Sequence, residues 1–301
     1  MSLSDARLFH VNVNCSSLDR SRRFYTEGLG LTIGAHTAPE SAQPGAAFGL
    51  DVARWDASIL LGPRAYDGGA IDLLEWHEPL PVGKPPGSLA ETGFQRLGLH
   101  VPDIEAAATQ VVAFGGSVWS DPQVHTPPKG TEIRIVLASD PDGTAMELVE
   151  GGPAALSFVT VACRDLDASL AFYARLGFGE VARFASDNPD GSHLRIDGPV
   201  AMDEVVLRPA GGGDVMLILV GFRNPTAVVT KPRPANALGM WRAAFLVTDL
   251  DAAFAKLAGQ RVDTISEPVS MAMGPGLPEL RFMCFRGPDA EVVELIEQPS
   301  L

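Results

Sequence analysis

The side chains best suited to moving a proton or holding an oxyanion stand two apart in strand-like text. Apolar and polar residues alternate through Phe9–Asn14, so His10, Asn12 and Asn14 share one face. The same alternation through Phe94–Val101 puts Arg96, Gly98 and His100 on one face. An imidazole changes charge near neutral pH, and a guanidinium offers a planar fork to a carboxylate or an enolate-like oxygen. A carboxylate set beside them would become a base of raised pKa when recessed. Together these groups point to proton-transfer isomerisation or elimination next to a carbonyl.

Other residues carry weaker signals. Trp55, Tyr66, Trp76 and Trp119 are candidates for an aromatic wall, Trp55 and Tyr66 for direct substrate contact; core packing is the competing reading. His36, His77 and His125 lie in turn-rich text and are expected to be exposed. Cys15 and Cys163 read as small buried residues rather than nucleophiles. Gly211–Gly213 is a loop, because no helix opening with Lys-Ser/Thr follows it.

These residues belong to a duplicated chain. Val11–Tyr25 and Val159–Tyr173 share eight of 15 positions, among them Cys15/Cys163, Leu18/Leu166, Asp19/Asp167 and Tyr25/Tyr173. VPDIEAA at Val101 answers VTDLDAA at Val247, and PDGTAMELVE at Pro141 answers PDAEVVELIE at Pro288. Each half divides again. Four alternating strands open at Phe9–Asn14, Phe94–Val101, Leu156–Ala162 and Met240–Val247, followed by capping residues Ser17, Asp103, Asp165 and Asp249. Helices are predicted over 18–28, 104–114, 166–175 and 250–258, then short strands between Gly/Pro turns. The organisation is βαβββ four times, an α+β fold. Long Pro-rich stretches, HEPLPVGKPPGSLAETG and FRNPTAVVTKPRPANALG, interrupt each half, whereas only GGPAA joins the halves. The expected domains are therefore 1–151 and 152–301, pairing modules one with two and three with four.

With 301 residues, 46% of them apolar, the chain can bury more than one core. Its 23 basic and 37 acidic residues leave a net charge of −14, which repels a phosphate backbone and argues against nucleic acid as a partner. No polybasic cluster or bilayer-length apolar run points to a membrane. Three cysteines do not make a disulfide framework, and the opening residues lack a signal-peptide pattern, so a soluble, cytoplasmic protein is expected.

Four βαβββ modules, with HVNVNCSSLDRSRRFY and DPDGTAMELVE, resemble the vicinal oxygen chelate superfamily of glyoxalases, bleomycin-resistance proteins and extradiol dioxygenases. The resemblance implies two tandem domains with cupped mixed sheets, and inward ligand positions on the first and last strand of each module. Those positions are His10, Asp72, Arg96 and Glu147 in the first half, and Phe158, Leu217, Arg242 and Glu294 in the second. The first set is polar and becomes the expected catalytic cup, with Asn12, Asn14 and His100 beside it. The second is expected to be a degenerate copy, in which Arg242 and Glu294 form an ion pair. For a cofactor, the resemblance leaves two alternatives: none, or one divalent ion on His10, Asp72 and Glu147, with Arg96 where the family usually has a second His. The implied function is a lyase or isomerase acting on a small carbonyl- or carboxylate-bearing molecule. Sequestration of an organic compound is the alternative. A ring-cleaving dioxygenase fits less well, because Phe158 and Arg242 replace its ligands. A homodimer is compatible with the sequence.

Overall fold

The computed structural model describes residues 6–125, 132–259 and 262–298. Module one comprises β1 (Arg7–Cys15), α1 (Leu18–Arg23), β2 (Thr32–Thr37), β3 (Gln43–Pro44), β4 (Val52–Leu61) and β5 (Ala70–Glu78). Module two follows with β6 (Gly93–Val101), α2 (Ile104–Ala113), β7 (Ser117–Val118), β8 (Gln123–His125), β9 (Ile133–Ser139) and β10 (Ala145–Glu150). Module three has β11 (Ala155–Cys163), α3 (Leu166–Arg175), β12 (Phe178–Asn188), β13 (Val200–Pro209) and β14 (Met216–Asn224). Module four has β15 (Gly239–Val247), α4 (Leu250–Gly259), β16 (Val269–Met271), β17 (Leu280–Arg286) and β18 (Val292–Glu297).

Each helix starts where its cap predicts. Ser17, Asp103, Asp165 and Asp249 accept hydrogen bonds from the backbone N–H of Arg20, Ala106, Ala168 and Ala252 respectively, satisfying donors that the first helical turn leaves free. The first helix is shorter than predicted, because Phe24–Gly28 continues it as a wider π-helical turn.

The α+β class and the four modules stand, but the pairing of modules differs from expectation. One sheet runs β16-β17-β18-β15-β1-β5-β4-β2, joining modules four and one; the other runs β12-β13-β14-β11-β6-β10-β9-β7, joining three and two. The seams are antiparallel pairs of opening strands, β1 with β15 and β6 with β11. Linker length explains the correction. A link of five residues, GGPAA, can only deliver β11 beside the module it has just left, whereas each long Pro-rich stretch can cross from one sheet to the other. The two crossovers bond to each other: Val82 N–H donates to Asn236 O and Val228 N–H to Ala90 O.

Alternation then sorts the faces. Val11, Val13, Leu97, Leu99, Val159, Val161, Ala243 and Phe245 join one continuous core with the buried faces of the helices. The intervening residues face the concave sides. Sequence halves remain tied at the helix side: Tyr25 donates to Asp140, and Tyr173 to Glu291.

Candidate functional site

Because β1 lies beside β15, His10 of module one meets Arg242 and Glu294 of module four. Parallel pairing sets Asn12 opposite Asp72 on β5, and Ala244 opposite Glu294 on β18. All four ionisable side chains are buried. Arg242 Nη2 donates to Asp72 Oδ2 at 2.7 Å and Arg242 Nε to Glu294 Oε2 at 2.8 Å, so one guanidinium bridges two carboxylates. Arg242 Nη1 is buried with no hydrogen-bond partner. His10 Nε2 lies 3.2 Å from Glu294 Oε2 and 3.8 Å from Asp72 Oδ2, yet neither ring nitrogen makes an aligned hydrogen bond. The cup therefore holds an imidazole that makes no aligned hydrogen bond, close to the Glu294 carboxylate, and a guanidinium whose Nη1 has no hydrogen-bond partner.

Burial opposes the charge on Arg242, but Glu294 and Asp72 outweigh it and hold the guanidinium protonated more firmly than usual. Burial likewise opposes ionisation of Glu294. Arg242 and His10 more than offset that and keep its carboxyl below the usual range.

These groups form one wall of a cavity of about 360 Å³. The remaining walls are mostly apolar: Phe9, Phe48, Trp55, Tyr66, Phe282 and the Met273–Leu280 segment. Phe9 and Tyr66 stack at 5.8 Å, and Phe48 packs edge-on against Trp55 and Trp76. Trp55 is fixed by an N–H bond to Thr37 Oγ1.

The other predicted residues are distributed between the sheets. Trp55 and Tyr66 line the cavity. Asn12 donates to Asp72 and steadies it from behind. Asn14 donates to Ala235 O and Ala237 O, fastening a crossover to β1, and accepts from Trp76 Nε1. Arg96, Glu147 and His100 belong to the other sheet, which separates Glu147 from His10 and Asp72. There Arg96 Nε bonds Glu147 Oε2 at 2.6 Å and Nη2 bonds Glu204 Oε1 at 3.2 Å, with Gln95 accepting from the third nitrogen. His100 bonds Ser157. Phe158 packs directly on Gly98 in this second cup: a Cβ on Gly98 would come within 2.3 Å of its ring. Ile218, rather than Leu217, stands at the position of Asp72, because Thr160 pairs with Ile218 as Asn12 pairs with Asp72; Leu217 points into the core.

His36 is exposed against Asp56, His77 is half-buried, and the side chain of His125 lies outside the described residues. Burial pushes the thiols of Cys15 and Cys163 far up, which leaves them unreactive. Trp119 belongs to the second sheet, beneath Arg195 at 3.9 Å.

Sequence reasoning missed Glu204 and the lining of Phe9, Phe48, Phe282 and the Met273–Leu280 segment. The Gly/Pro-rich stretch GPGLPELRF, with its leucines, was the available signal for that segment; Glu204 had none, because its role depends on its side chain on β13 of module three reaching Arg96 on β6 of module two.

A divalent ion does not fit this donor set. His10, Asp72 and Glu294 offer three ligands, but the fourth position holds Arg242, which takes lone pairs from both carboxylates and adds a fixed positive charge beside any cation. Asp103, Glu105 and Glu150 also cluster, yet they cap α2 and pair with Arg134 at the surface.

The model of the Glyoxalase/Bleomycin resistance protein/Dioxygenase superfamily matches residues 7–148 and again 155–295. The Arabidopsis thaliana protein named Probable lactoylglutathione lyase, chloroplastic, is 30% identical over 191 residues, 61% of this chain and 47% of that protein. A Vibrio parahaemolyticus protein of the same description, without the chloroplast, is 29% identical over 149 residues, 49% of this chain and 93% of its own length. The chain thus spans about half the length of the plant relatives it matches. Glyoxalase I from Zea mays superposes with a TM-score of 0.66 at 22% identity, over 97% of this chain and 92% of that one, a likeness of fold.

Proposed function

The chain belongs to the Glyoxalase/Bleomycin resistance protein/Dioxygenase superfamily, and from that premise we propose that it is a lyase or isomerase that moves a proton next to a carbonyl, in the cup built by modules one and four. One observation carries the reading: His10 and Arg242, two residues lining an apolar cavity, carry buried nitrogens that make no hydrogen bond. Unpaired polar atoms are costly in such a place and persist where a ligand uses them.

The chemistry follows from those atoms. The His10 imidazole accepts the proton from the carbon beside the substrate carbonyl. The C–H electron pair becomes the C=C bond of an enolate, and the carbonyl π pair moves onto oxygen. Arg242 Nη1 donates to that oxygen, while Asp72 and Glu294 fix the orientation of the guanidinium. Return of the proton to a neighbouring atom completes an isomerisation; expulsion of a leaving group from the β-carbon completes an elimination. The dry walls strengthen the Arg242–oxyanion attraction and keep water from the enolate.

Proton exchange from a ketone into D₂O, followed by NMR, tests this. The wild type is expected to accelerate exchange, and a folded His10→Gln variant to lose about 10²–10⁴-fold of that rate. Unchanged exchange in the variant would remove His10 as the base. The largely apolar walls also favour a second reading, a binder that sequesters an organic compound; tight binding with no exchange would establish it.

A further inference from the structure

Resting on the proton-transfer reading above, we infer that the substrate is an uncharged, flat, largely apolar carbonyl compound, and not an anionic thiol conjugate of the kind the relatives' names denote. The argument starts from charge. Arg242 is the one Lys or Arg in the lining, and it is already bound to Asp72 and Glu294. Arg242, Asp72 and Glu294 together carry a formal charge of −1. A substrate carboxylate would enter a low-dielectric cavity with no uncommitted cation to receive it, beside net negative charge. Arg64, two residues from Tyr66, is itself committed to Asp214. What remains available is a single donor group for a carbonyl or oxyanion: the Nη1 amino group of Arg242, whose N–H bonds have no partner.

Shape agrees with charge. The stacked Phe9–Tyr66 pair and the Phe48–Trp55 pair supply flat aromatic surfaces, and Ile59, Leu277 and Phe282 extend them. A cavity of about 360 Å³ is near the lower end of ligand sites. It suits a ring with a short carbonyl arm. Lactoylglutathione is a tripeptide derivative with two carboxylates and an ammonium group, and these walls offer few polar atoms to satisfy its peptide groups.

Phenylacetone and phenylpyruvate separate the alternatives, since they differ only in a methyl group against a carboxylate beside the ketone. Calorimetric titration of the full chain with each, and with S-lactoylglutathione, is the experiment. Phenylacetone is expected to bind at least about tenfold more tightly than either anion, and a Leu277→Trp variant, altered at a partly exposed cavity position, to lose that binding while remaining folded. Equal or tighter binding of phenylpyruvate or S-lactoylglutathione would overturn the inference, as would no measurable binding of phenylacetone. Deuterium exchange measured on the same samples keeps the two claims apart. Phenylacetone bound without exchange contradicts the proton-transfer reading alone; exchange accompanied by preference for phenylpyruvate contradicts the substrate class alone.

Discussion

His10 and Phe158 occupy the same place in the repeat and decide the fate of the two cups. His10 lies against Ala244 and makes no aligned hydrogen bond; Phe158 lies over Gly98 and occupies the space beside it. The resemblance to the superfamily's ligand positions made each of these residues legible, and with them Asp72, Arg242 and Glu294. It could not say which of them would meet, because that depends on how distant modules pair: Asp72 and Arg242, which bond to each other, stand 170 residues apart. Gly98→Ala places a methyl group where the Phe158 ring now sits. We expect a loss of about 1–3 kcal/mol in urea denaturation, recovered when Phe158→Leu is added; an unperturbed single variant would show that the ring does not pack on Gly98.

At the scale of elements, the turn before the last strand of each half carries a buried carboxylate under a tyrosine. In module two Asp140 reaches Tyr25; in module four Glu291 reaches Tyr173 from four residues further along, and Gly287 stands where a Cβ would collide with it. Burial, reinforced by the Asp289 carboxylate, pushes Glu291 up to about 8, and burial pushes Asp140 up to about 6. The folded chain therefore holds protons that the unfolded chain has released. Their stabilisation is complete below the ordinary carboxyl range, near pH 4, and disappears as pH rises through about 6 for Asp140 and about 8 for Glu291. Melting temperature should thus fall from about pH 5 to about pH 9, and Glu291→Gln should flatten the upper part of that decline. A slope unchanged by the substitution would place the titrating group elsewhere. The strands, caps and helices around these turns were readable from alternation and from Ser/Asp at helix starts. The carboxyl shifts were not, because they arise from desolvation by packing.

For the whole molecule, duplication and assembly follow different boundaries. The family matches run along the sequence halves, whereas each sheet takes one module from either half. Linker length was the signal for this. A five-residue join holds modules two and three together, and the long crossovers carry the chain between sheets. Among the described residues no helix is long and apolar enough to cross a membrane. The consequence for function is that Arg242, expected to be scaffolding, stands with His10, while Arg96 is committed to Glu147, Glu204 and Gln95. Both arginines are buried forks, so Lys in either place keeps the charge but loses the planar donors. The most direct measurement is the rate of α-proton exchange into D₂O in folded Arg242→Lys and Arg96→Lys variants. The account predicts a loss of about 100-fold or more for Arg242→Lys, with Arg96→Lys retaining the wild-type rate at lowered stability. Exchange that survives Arg242→Lys and disappears in Arg96→Lys would contradict it and move the chemistry to the second cup.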